Sequence, residues 1–158
     1  MFSFPNPVNE KAARVVAGVV AIAAAIILAT GAYWLLIPVA YGFWARVLTG
    51  PTLSPLARIA MKAMARHPKY VPGPPKRFAQ GMGAAITSTA AVLALGFGAT
   101  TAAQVLVAAL LVAATLEAAL AFCLGCLLFA LLMRTGLVPA NVCAECADLR
   151  LAAGRPSP

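Results

Sequence analysis

Acidic side chains are scarce in this 158-residue chain: it has 4 Asp and Glu against 12 Lys and Arg, and one His. Charged residues total 10% and hydrophobic residues 63%, where ordinary globular domains have about 25% and roughly 45–50%. A water-soluble domain with so few polar side chains would be unable to cover its surface. A disordered, collagenous or secreted disulfide-rich chain is excluded by the same balance. No phosphate loop, nucleotide-binding fingerprint, hydrolase elbow or His-rich metal motif occurs. Met1-Phe2-Ser3-Phe4 lacks the basic start of a signal peptide, so the first apolar run is expected to be retained. The chain reads as an all-α integral membrane protein.

Four apolar runs are present, at 12–31, 32–48, 78–98 and 102–133. Asn9 is placed to cap the first as a helix, with Glu10 at the positive end of its dipole. Thr30-Gly31 offers a turn. The second run has Trp34 and Trp44 near its ends as interface anchors and Pro38 inside it as an expected kink. The third is lined with small residues (Gly81, Gly83, Ala84, Ala85) that permit close helix approach and self-association into a homo-oligomer. The fourth, as one continuous helix, would reach about 48 Å, beyond a hydrocarbon core of about 30 Å. The expected organisation is a four-span bundle over 1–133 and a tail over 134–158.

Between runs two and three lies a segment, 49–77, rich in Pro, Gly and cations. Ser54-Pro55 reads as a helix start. The residues after it put Arg58, Lys62 and Arg66 on one face and mostly apolar residues on the other, an amphipathic helix suited to anionic membrane lipid. Interleaved aromatics are missing there, which argues against nucleic acid as the partner. Pro72-Gly73-Pro74-Pro75 reads as a stiff connector. With four spans, every Lys and Arg falls on the side that holds both termini and the 46–77 segment. The excess of cations in cytoplasmic loops then puts both termini in the cytoplasm, across a cell membrane.

All four cysteines belong to C-x-x-C pairs, Cys123-Leu124-Gly125-Cys126 in the fourth run and Cys143-Ala144-Glu145-Cys146 in the tail. A single buried cysteine is an ordinary small apolar residue; that does not explain the pairing. Two chemical readings follow. As dithiols, Cys123, Cys126, Cys143 and Cys146 would exchange disulfides or carry sulfur, with no cofactor. As thiolates, the same four would bind one zinc, because the C-x2-C-x16-C-x2-C spacing falls within the zinc-ribbon pattern. The first pair's place in an apolar helix argues against zinc.

Four polar residues support that pair. Runs three and four, packed as a hairpin about residues 99–100, bring Lys76 and Arg77 level with Cys123, where cations favour a thiolate. Glu117, the only acid inside a run, is expected near Met82 and Gly83, with Gln80 as hydrogen-bond partner. A buried carboxylate in a span points to function by default. On a continuous helix it lies about 120° from Cys123, too far round to act as its base.

Four segments together resemble a bacterial membrane family catalogued as domain of unknown function 4395. They are Phe4-Pro5-Asn6-Pro7-Val8-Asn9-Glu10, Pro75-Lys76-Arg77-Phe78-Ala79-Gln80 and the two C-x-x-C pairs, spread over residues 4–148. The resemblance implies a small multi-span membrane protein with thioredoxin-like or sulfurtransferase neighbours, and assigns no catalytic residue. The leading expectation is a membrane thiol–disulfide oxidoreductase or sulfur carrier. The alternatives are a structural subunit with a four-cysteine zinc site and a transporter for a small sulfur species.

Overall fold

The computed structural model describes residues 8–66, 69–139 and 142. The tail cysteines Cys143 and Cys146, and His67, lie outside the described residues. The fold is helical apart from one short ladder, β1 (Val8–Asn9) paired antiparallel with β2 (Tyr70–Val71). The first helix, α1 (Glu10–Thr30), starts where Asn9 Oδ1 accepts the Lys11 and Ala12 N–H groups and ends at Gly31, whose φ of 71° a side chain would resist. Its buried residues Ala12, Val16, Val20, Ala24 and Ile27 recur every three or four positions, the period of one helix face. That face lies on α5 (Thr100–Leu120), which answers with Ala103, Val107, Leu110 and Ala114.

A tight 3-10 turn at Tyr33–Leu35 leads into α2 (Leu36–Thr49). Pro38 therefore falls in the first turn of α2, where a missing N–H breaks no helical bond, and not in a helix interior where it would cause a kink. Helix α3 (Pro55–Ala63) is capped by Ser54 and turns Ala57 and Ala60 onto Ala12 and Val16 of α1. Arg58, Lys62 and Arg66 are exposed, Arg66 just past the helix end.

The Pro72–Pro75 stretch is not an extended connector. Helix α4 (Gly73–Ala91) already begins at Gly73, with the prolines in its first turn, where they cost no hydrogen bond. It continues as a π-helical turn, Val92–Gly96, and Gly98 at φ 66° reverses the chain into α5. Neighbouring contacts show α1 antiparallel to α5, α2 to α4, and α4 to α5. Arg14 reaches Ala118, Phe43 lies against Gly83, and Ala90 clusters with Ala103.

The fourth run is not one helix. It breaks at residues 121–123, and α6 (Leu124–Arg134) is a separate element packed against α4. Among the described residues, three helices are long and apolar enough to cross a membrane: Glu10–Thr30, Gly73–Gly96 and Thr100–Leu120. Helix α2, with 14 residues, covers about 21 Å.

Candidate functional site

Helix α5 ends because its last carbonyls find other partners. Arg14 donates from Nε and Nη2 to Ala118 O (3.1 and 2.9 Å) and from Nη2 to Ala119 O at 2.9 Å. A guanidinium is suited to this place, since it satisfies orphan carbonyls at the negative end of the helix dipole. Ala121 then adopts φ 56°, the only left-handed residue other than glycine among those described. Such a conformation costs an L-residue about 1–2 kcal/mol. Its N–H still bonds Glu117 O, and the Phe122 N–H bonds Leu116 O.

The break places Cys123 outside any helix interior. Cys123 is extended and caps α6, its Sγ accepting the Cys126 N–H at 3.3 Å. The expectation of a C-x-x-C inside an apolar helix is thus corrected: the motif sits at a helix start, as a capping residue sits, with the helix dipole behind it. This pair lies beyond the end of α5. Interaction with the Cys126 side chain holds the Cys123 thiol below its ordinary range, with burial and the Glu117 charge opposing and Lys76 assisting. The same interaction, burial and the charge on Cys123 push Cys126 up.

Between the cysteines, Gly125 meets α4. A Cβ there would lie 2.5 Å from Ala79 Cβ and 2.6 Å from Ala79 Cα, so any side chain would push α6 off. One turn on, Phe129 packs on Phe78 with ring centroids 5.7 Å apart. The segment Phe78-Ala79 therefore docks the start of α6 and with it both cysteines.

Beside the pair lies a buried polar cluster. Lys76 forms an ion pair with Glu117, the two side chains 8% and 13% exposed. Glu117 therefore does not take Gln80 as partner. The Gln80 Oε1 accepts instead from Arg46 Nε at 2.7 Å, and the Arg46 guanidinium stands 4.7 Å from the Phe43 ring centroid. Arg77 bonds Val47 O at 3.1 Å, which ties α4 to the end of α2. A cavity of about 230 Å³ opens among α1, α2, α4 and α5, and Arg46, Gln80, Glu117 and Cys123 share its wall with alanine, valine and leucine side chains. A second, of about 90 Å³, lies across Arg46 and Gln80 toward Asn9 and Tyr70, and Lys76 lines it.

The break also removes the premise that Glu117 and Cys123 lie on different sides of one helix, because both line the larger cavity. Two cations that counted in the sequence only toward sidedness, Arg14 and Arg46, turn out to be structural members of the site. The signal for Arg46 was its place three residues after Phe43 inside an apolar run, on the same helix face. Among the described residues no group of three or more His, Cys, Asp or Glu is placed to hold a metal. Half of the four-cysteine zinc set lies outside them.

No curated protein and no solved structure matches the chain. A family described as a domain of unknown function (DUF4395) matches residues 8–134, which include the bundle, the buried cluster and the first C-x-x-C, and the chain belongs to that family.

Proposed function

We propose that this chain is a membrane thiol–disulfide exchange or sulfur-relay protein, with Cys123 as the attacking thiol and Cys126 as the resolving one. The observation that carries the reading is the place of Cys123: at the start of α6, accepting the Cys126 N–H, with the Lys76–Glu117 ion pair as its charged neighbours. Thiolates form at helix starts and beside cations, and the thiolate is the nucleophile. The exchange is balanced within the pair. The Cys123 thiolate attacks a partner disulfide and displaces one partner thiolate. Cys126 then attacks the Cys123 sulfur, which leaves a Cys123–Cys126 disulfide and a reduced partner. Cys143 and Cys146 would pass the oxidising equivalents between this pair and a soluble thioredoxin-like or sulfurtransferase protein.

The same reading takes α1, α2 with its preceding turn, α4 and α5 as four spans, with both termini cytoplasmic. Support comes from their alternating directions and from the absence of Lys and Arg in the connections 31–32 and 97–99. The exposed Arg58 and Lys62 of α3, beside an Ile59 that is 66% exposed, suit an anionic lipid surface.

The test is a trap. With Cys126→Ser, the bond between Cys123 and its partner has no resolving thiol. A thiol-dependent adduct should then be recovered on non-reducing gels and lost on reduction. No adduct with Cys126→Ser, Cys143→Ser or Cys146→Ser would contradict the proposal.

A further inference from the structure

The larger cavity has a chemistry that thiol exchange with a soluble partner leaves unused. Most of its wall is apolar, for example Ala17, Leu110 and Ala113, while Arg46, Gln80, Glu117 and Cys123 are its polar members, Glu117 being held by Lys76. Arg46 is 7% exposed and lines the cavity, yet only its Nε has a hydrogen-bond acceptor among the described residues. A guanidinium on the wall of a largely apolar cavity offers a planar fork of donors to a ligand that carries an acceptor. A small inorganic anion would satisfy them and leave the alanine and leucine walls without contact partners. A flat ring that carries carbonyl oxygens would meet both ends of the site. An apolar cavity of about 150 Å³ binds benzene, so one of about 230 Å³ accommodates a substituted six-membered ring.

We infer that this cavity binds the headgroup of a membrane-soluble quinone, with one carbonyl oxygen accepting from Arg46, and that the quinone is the two-electron acceptor for the Cys123–Cys126 dithiol. The inference rests on the reading of these cysteines as a dithiol. In the step, the two sulfurs form one S–S bond and release two protons. The electron pair passes to the quinone, whose two carbonyl oxygens each take up a proton to give the hydroquinone; a partner dithiol then reduces the Cys123–Cys126 disulfide and leaves as the partner disulfide, the exchange of the proposed function run in reverse. Being lipid-soluble, the ligand can enter the bundle from the bilayer.

The experiment uses the full-length protein, reduced and held anaerobically in detergent, with a short-chain ubiquinone as probe and an aromatic disulfide as a second oxidant. The expected result is one hydroquinone per Cys123–Cys126 disulfide, with saturation in quinone. Arg46→Gln should raise the half-saturating quinone concentration at least about tenfold, as loss of a hydrogen bond from a charged donor implies. Ala113→Phe, which fills the cavity and keeps Arg46, should do the same. Disulfide formation with the aromatic disulfide but none with quinone would overturn the inference and leave the exchange function standing. Quinone reduction unaffected by both variants would overturn the site. No Cys123–Cys126 disulfide with either oxidant would instead contradict the function it rests on.

Discussion

Where α1, α4 and α5 meet through Ala24, Ile27, Ala90, Ala103 and Val107, with Leu36 beside them, no charged group takes part. At the other end of the same helices, contact runs through Arg14 on the α5 carbonyls, the Lys76–Glu117 pair and Arg46 on Gln80. The first end is closed by small side chains in direct contact, each adding little and all together enough. The second is held by a few strong, directional bonds around cavities. Close packing leaves no room for a ligand; a polar network leaves room and supplies the groups to bind one. The two ends should therefore respond differently to the same kinds of substitution.

The largest difference is expected for charge removal. Glu117→Leu leaves Lys76 buried without its counter-ion, which costs about 3–5 kcal/mol. Lys76→Met combined with Glu117→Leu should recover most of that loss. Thermal unfolding of the two single variants and the double variant in detergent measures the coupling. A double-variant loss equal to the sum of the two single losses would mean that the pair contributes no interaction of its own.

Overpacking comes next. Ala90 is fully buried at the apolar end, and Gly125 touches the Ala79 backbone. Ala90→Leu and Gly125→Val should each cost about 1–3 kcal/mol. Only the second should also alter the alkylation rate of Cys123, because it lifts α6 from its seat on α4. A change in Cys123 reactivity from Ala90→Leu would erase the distinction between the two ends.

A smaller effect should differ in sign. Ala121→Gly relieves a left-handed alanine and should stabilise by roughly 0.5–1 kcal/mol, after the greater unfolded-state freedom of glycine is allowed for. Ala24→Gly, in the regular part of α1, should destabilise by about 1 kcal/mol. Denaturant or thermal midpoints of the two variants test this opposition.

The smallest effect concerns rate alone. Cys123, whose thiol is held below its ordinary range by Cys126, should be alkylated at neutral pH before Cys126, which is pushed the other way. Peptide mapping after brief iodoacetamide treatment gives the order. Because the thiolate is the reacting form and Cys126 is pushed far up, the preference for Cys123 should persist as pH rises through the usual thiol range.

Much of this fold is written locally in the sequence. The Asn9 and Ser54 caps, the turn at Gly31 and the amphipathic α3 follow from short-range rules of helix initiation and termination, and each occurs where those rules put it. The break after Leu120 was not legible, because nothing in Ala119-Leu120-Ala121-Phe122 stops a helix locally. Arg14, more than a hundred residues earlier, takes the α5 carbonyls, and no local pattern reports that. Lys76 and Glu117 were recognised separately, but their pairing depends on side-chain reach across a hairpin whose register the π-helical turn at Val92–Gly96 helps to set. Arg46 resembled an ordinary interface cation until α2 was seen against α4.

The central claim is that Cys123 and Cys126 form a working dithiol at the start of α6. It is tested most directly in the Cys143→Ser/Cys146→Ser variant, where these are the only thiols left. Thiol counting and peptide mapping after mild oxidation, then after reduction, decide it. The account predicts that two thiols disappear together into an intramolecular Cys123–Cys126 disulfide and return on reduction. Two thiols that stay free under oxidant, or that form bonds only between separate molecules, would contradict it.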